Sequence, residues 1–140
     1  MATLSLFTDS GLTTPATLPL VFQQDDQGVV SPHQRNLWLG SNDAALKFQA
    51  ASNPGVDQVQ LQVNDTDSGS GQPASAIKLS LTQAGLASAT GGAALNLGVQ
   101  ILSGVSGAKS IWVQFDDTTG IVATDTAVKL QTNLLAVSAV

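Results

Sequence analysis

Chemistry in a protein usually starts from a base, a nucleophile or a metal ligand, and this chain holds few of each. His33 is the only histidine, and there is no cysteine and no tyrosine. A nucleophile needs a base of suitable pKa beside it. His33 follows Ser31-Pro32 in a segment that reads as a loop, so it is taken as a solvent-facing histidine rather than a general base. No Gly-x-Ser-x-Gly elbow is present. The adjacent carboxylates Asp25/Asp26 and Asp116/Asp117 have the residue types of glycosidase acid/base work. Both pairs fall where turns are expected, and sequence neighbours seldom converge on one bond, so turn formation and solubility account for them. Asp65-x-Asp67-x-Gly69 opens like a calcium loop, but the positions that call for Gly and a bidentate Glu are Ser70 and Ala76. The low-complexity run 65–75 reads as a flexible surface loop, with calcium in another loop geometry as the alternative. No catalytic, cofactor-binding or metal site is therefore assigned, and the expectation is a protein that is not an enzyme and has no cofactor.

Two residues stand out for binding rather than catalysis. Trp38 lies between Leu37 and Leu39, and Trp112 between Ile111 and Val113. In a strand each tryptophan points opposite its apolar neighbours. Either that second face is covered inside the domain, or each Trp is an exposed anchor for a partner, as at binding hot spots and sugar-stacking platforms.

The elements that would position these residues follow from a period of two. Leu18/Leu20/Phe22, Leu46/Phe48/Ala50, Val59/Leu61/Val63, Ile77/Leu79/Leu81, Leu95/Leu97/Val99/Ile101, Ile111/Val113/Phe115 and Val128/Leu130 each alternate with other residues. Residues 134–140 read as an extension of the last strand. Strands around Leu4–Thr8 and Asn36–Leu39 bring the expected total to about eight or nine. Asp25-Asp26-Gln27-Gly28, Ser52-Asn53-Pro54-Gly55 and Asp116-Asp117-Thr118-Thr119-Gly120 mark turns between them. Only 82–94 has room for a helical turn or two. The expected fold is all-β, an antiparallel β-sandwich of jelly-roll or Ig-like type, because serial strands need a second sheet over their apolar faces. Residues 1–19 read as an N-terminal arm or edge strand, and 20–140 as the sandwich domain. Leu4, Leu6 and Phe7 of that arm, with Trp38 and Trp112, are the candidate partner-interface residues. The arm 2–15 is expected to reach a neighbouring subunit and to be removable without loss of the fold.

Composition narrows the function further. A chain of 140 residues suits one domain. Charged residues are 11% of it, against about 25% in an average domain, and neutral polar residues fill the difference. Such a surface is weakly protected against association and suits a subunit packed among others. All ten acidic residues are Asp, a turn former, and 13 Gly and 5 Pro add to that bias. The net charge of -5 and only five Lys and Arg argue against nucleic acid and against anionic lipid as partners. No secretory signal and no bilayer-length apolar run is seen, so synthesis and retention in the cytoplasm are expected.

The stretches Leu37-Trp-Leu-Gly-Ser-Asn-Asp with Phe48-Gln-Ala-Ala-Ser-Asn-Pro-Gly, Leu79-Ser-Leu-Thr-Gln-Ala-Gly-Leu with Gly91-Gly-Ala-Ala-Leu-Asn-Leu-Gly, and Ile111-Trp-Val-Gln-Phe-Asp-Asp cover about half of the chain. Their texture resembles that of tailed-phage virion structural proteins, most of all capsid decoration (cement) proteins. The resemblance implies a β-sandwich in the virion, assembled in the host cytoplasm and bound to the major capsid protein, as a homo-oligomer, a trimer by preference. A neck or tail component is the neighbouring alternative. A carbohydrate- or surface-binding module, with a possible glycan ligand on an exposed Trp, is the reading from a different class.

Overall fold

The computed structural model describes residues 4–16, 34–65, 73–116 and 128–140. The expected strand at Leu18–Phe22, together with His33, Asp25, Asp26, Asp67, Gly69, Ser70 and Asp117, lies outside the described residues.

The fold is all-β and built from three antiparallel sheets. Ten strands occur among the described residues. They are β1 (Ser5–Phe7), β2 (Gln34–Gly40), β3 (Leu46–Ala50), β4 (Gln60–Asp65), β5 (Ile77–Ser80), β6 (Leu95–Asn96), β7 (Ile101–Leu102), β8 (Lys109–Phe115), β9 (Val128–Thr132) and β10 (Leu135–Ala139). Among the described residues helix is confined to 3-10 turns at Ala74–Ala76, Ala84–Ser88 and Val105–Gly107, the second of them inside the 82–94 window. The sheets run β1-β2-β8-β5, β10-β3-β7 and β6-β4-β9.

All three sheets feed one core, which gives the fold its sandwich-like character. Leu37, Leu39, Ile77, Leu79, Ile111 and Val113 come from the four-stranded sheet, Phe48 and Ile101 from the second, and Val59, Leu61 and Leu97 from the third and its flanks. These are the apolar members of the alternating runs, so period-two patterning places the core. At roughly 1.5–3 kcal/mol for each large aliphatic or aromatic side chain taken from water, this cluster is the main source of stability.

Two expected strands are revised. The run Leu95 to Ile101 is not continuous: Leu95 pairs with Leu61 on β4, whereas Ile101 pairs with Phe48 on β3. Between them Gly98 takes φ +95, a conformation that L side chains rarely adopt, and this bend sends the chain from one sheet to the next. Val99, expected inside, is exposed. Residues 134–140 do not extend the preceding strand either. β9 pairs with β4, and β10 crosses to β3, with Ala136 opposite Gln49 and Ser138 opposite Lys47. Asn133 anchors that crossing, its Oδ1 accepting from the Gln60 N–H at 2.9 Å and its Nδ2 donating to the Gln58 carbonyl at 3.0 Å.

The N-terminal residues 4–16 are part of the body. β1 pairs with β2, placing Leu6 opposite Leu39 and Phe7 opposite Trp38. The chain then turns and returns along β1, with Pro15 bridged to Phe7 and the Ala16 N–H bonded to the Leu6 carbonyl. Leu4 and Leu6 pack against the shared core. Phe7 is 6% exposed and Leu12 2%. Leu12 lies over Gly40, where a Cβ would come within 2.9 Å of its Cδ1. Removing 2–15 would therefore uncover the edge of β2 and take away two buried side chains, Phe7 and Leu12.

Candidate binding face

The four-stranded sheet has one face in the core and a second face turned away from it. On β2 and β8, Leu37, Leu39, Ile111 and Val113 point inward, so by alternation Trp38 and Trp112 point outward. Trp38 sits opposite Ser110, and Trp112 sits between Asn36 on β2 and Ser80 on β5. The two tryptophans are thus diagonal neighbours on adjacent strands, within reach of each other's side chains. Both are half-buried.

Two pieces of the chain border this aromatic strip. At one end stand Phe7 and Leu12 of the N-terminal turn. At the other, the 3-10 turn Ala84–Ser88 folds back over the same face: a Cβ on Gly85 would strike the outward Ser80 Oγ. Leu86 is fully buried yet lies outside the shared core cluster, which marks a second, smaller apolar contact on this side of the sheet.

Beyond the tryptophans the face is a line of amides. Gln83 Nε2 donates to Gln34 Oε1 at 3.0 Å, and Gln34 Nε2 donates to Gln114 Oε1 at 2.9 Å. Gln114 Nε2 in turn reaches both carboxylate oxygens of Asp116, at 2.9 and 2.8 Å. Lys78 Nζ stands 3.5 Å from Asp116 Oδ2, an ion pair exposed enough to contribute no more than about 1 kcal/mol. Ser110 Oγ donates to Asn36 Oδ1 at 3.0 Å. Because each side chain is held by the next, the face is ordered before any partner arrives, which lowers the entropy cost of binding. Among the described residues neither indole N–H meets an acceptor.

The turn that closes one end of the face is held by Asp9. Its carboxylate accepts from Thr13 Oγ1 at 2.7 Å, from the Thr13 N–H at 3.0 Å and from the Thr14 N–H at 2.8 Å. The Thr13 hydroxyl, and then the Thr14 N–H, hold the carboxyl below its usual 3.8.

Of the five candidate interface residues, Trp38 and Trp112 come together on one outward face. Leu4, Leu6 and Phe7 are occupied within the fold. Sequence reasoning passed over the amide line Gln34, Gln83 and Gln114. The signal for two of its members was available, since Gln34 and Gln114 share the parity of Trp38 and Trp112 in their strands. Asp116 caps this line, and Asp65 ends β4. Among the described residues no group of three or more His, Asp or Glu gathers as a metal site, and no helix is long and apolar enough to cross a membrane. Comparison with known proteins finds no matching family, no matching curated protein and no matching solved structure.

Proposed function

We propose that this chain is a non-catalytic virion coat protein that decorates a tailed-phage head, docking on the major capsid protein through the outer face of the four-stranded sheet. The observation that carries the reading is the pairing of Trp38 and Trp112 on that face, beside neutral, pre-ordered amides. Aromatic anchors in a charge-poor patch are the chemistry of protein interface centres. The charge-poor composition and the resemblance of the 37–55, 79–98 and 111–117 stretches to virion proteins support the same partner class. Bridging neighbouring capsid subunits would add interface energy that opposes expansion of the filled head. The protein would be assembled in the host cytoplasm and would work in the particle.

A second reading, a glycan-binding module, is favoured by one specific feature, the diagonal Trp pair beside amide donors and acceptors. Aromatic faces stack on sugar rings while amides bond hydroxyls.

The test is co-sedimentation with heads of the same virus lacking the chain. Wild-type protein should bind, and the Trp38→Ala/Trp112→Ala double variant, checked for folding by circular dichroism, should bind about 100-fold more weakly or worse, as expected for two hot-spot residues. Equal binding by the folded double variant refutes the face. No binding by wild type, with Trp fluorescence shifting on a glycan panel instead, replaces the capsid by a sugar.

A further inference from the structure

We infer that β10 is a self-pairing edge, and that two copies of this chain join through it in antiparallel register about a two-fold axis at Val137. The hydrogen-bond pattern of β10 with β3 identifies which backbone groups point away from β3 and are placed to do so. The Ala51 N–H bonds to the Leu134 carbonyl and the Val140 N–H to the Ala45 carbonyl, both at 2.9 Å. In an antiparallel ladder the bonded residues alternate. Residues 134, 136, 138 and 140 therefore face β3, and the N–H and C=O groups of Leu135, Val137 and Ala139 point away from it. Among the described strands β10 is terminal in its sheet.

The other sheet edges among the described residues are blunted. β1 is covered by its own return through Pro15 and Ala16. β5 carries Lys78 and has its Ile77 carbonyl taken by the Gly92 N–H, and β9 carries Lys129. β6 and β7 are two residues long. Charges, proline, cover and shortness are the usual protections of an edge. β10 has none of them. It is five residues long, Leu-Ala-Val-Ser-Ala, with no charged side chain in 133–140. Around it Leu134 is 82%, Val137 43% and Val140 74% exposed.

The occupant that fits is a second copy. Antiparallel pairing centred on Val137 sets Val137 against itself and the large Leu135 against the small Ala139 of the other copy, twice over. Three outward residues per strand then make six inter-chain backbone bonds. The two sheets become one of six strands, with the apolar side of both β10 strands on the same face. Any self-association of a chain with net charge -5 has to keep its charges apart, and this uncharged edge does that. An isologous contact closes at two copies. It predicts a dimer where the virion resemblance implies a trimer, and it is independent of the tryptophan face.

The test is light scattering coupled to size exclusion, on the full chain, with two variants. The expected mass is twice 14.2 kDa. Val137→Pro deletes an outward N–H that β3 does not use, so it leaves the β3–β10 ladder intact and is expected to give a monomer. Val137→Lys reaches the same end by setting two ammonium groups opposite each other, should the proline variant not fold. Amide exchange at Leu135, Val137 and Ala139 should slow as protein concentration rises. A monomer or a mass of three times 14.2 kDa in the wild type overturns the inference. So does a dimer that survives both substitutions.

Discussion

Ala45 stands in the turn between β2 and β3 with φ +53, a left-handed conformation, and its side chain is exposed. An L-residue there costs about 1–2 kcal/mol, because Cβ crowds the following carbonyl oxygen. Glycine escapes that cost. Replacing Ala by Gly also loosens the unfolded chain, a loss of about 0.4–1 kcal/mol. The difference leaves Ala45→Gly more stable than wild type by about 0.5 kcal/mol, the reverse of the usual Ala→Gly effect. No side-chain burial interferes, and the Ala45 carbonyl keeps its bond from the Val140 N–H. In urea, with a slope of about 1–3 kcal/mol per molar, the midpoint should rise by about 0.2–0.5 M with the slope unchanged. Trp38 and Trp112 fluorescence reports the transition. Ala44→Gly, one residue earlier and outside the left-handed region, should lower the midpoint instead. A lower midpoint for Ala45→Gly, matching that of Ala44→Gly, would refute the turn geometry and with it the way β3 enters its sheet.

Two further outcomes follow from particular contacts. Asp9, held below its usual 3.8 by the Thr13 hydroxyl and the Thr14 N–H, stabilises the fold above that value and loses the contribution as pH falls through its lowered pKa. The stability gap between wild type and Asp9→Ala should therefore be full at pH 5–7 and shrink below about pH 4; a gap independent of pH would remove the carboxylate's role. Asn133→Ala should cost about 1–3 kcal/mol by stripping bonds from the Gln60 N–H and Gln58 carbonyl. Asn133→Asp, which keeps the acceptor, should fall between the two, and equal losses for Ala and Asp in urea unfolding would show that the Gln60 bond carries nothing.

Much of the core was legible because alternation is a local property of a strand. Phe48, Leu61, Leu79, Ile111 and Val113 could be assigned inward from their neighbours alone. What alternation lacks is any record of which sheet a strand joins. Leu95 to Ile101 keeps period two straight through Gly98, so the bend was hidden by a pattern that suits either outcome. Residues 134–140 follow β9 with no Gly or Pro between, and it is Asn133, bonded back to β4, that redirects them. The outward placement of both tryptophans could not be read because Trp38 and Trp112 have apolar residues on either side. Only pairing with β1 and β5, together with the turn at Ala84–Ser88, shows which side the core takes. Leu12 was unreadable for a related reason, since its burial over Gly40 depends on a turn that Asp9 builds and on a strand that lies nearly thirty residues later.

Strand pairing in this chain also sets a schedule. β2 meets β1 early but waits for β8, β3 waits for β7 and β10, and β4 for β6 and β9, so none of these strands has all its partners until most of the chain has been made. Translation adds roughly 5–20 residues per second, which leaves β3 and β4 for seconds as apolar strands without mates and β2 with β1 alone. Such non-local pairing also slows folding itself. Of the described strands β10 is made last, and it is the one that completes β3. A chain cut before Leu135 would therefore have its second sheet left open along β3, a species expected to aggregate rather than to persist as a shortened form.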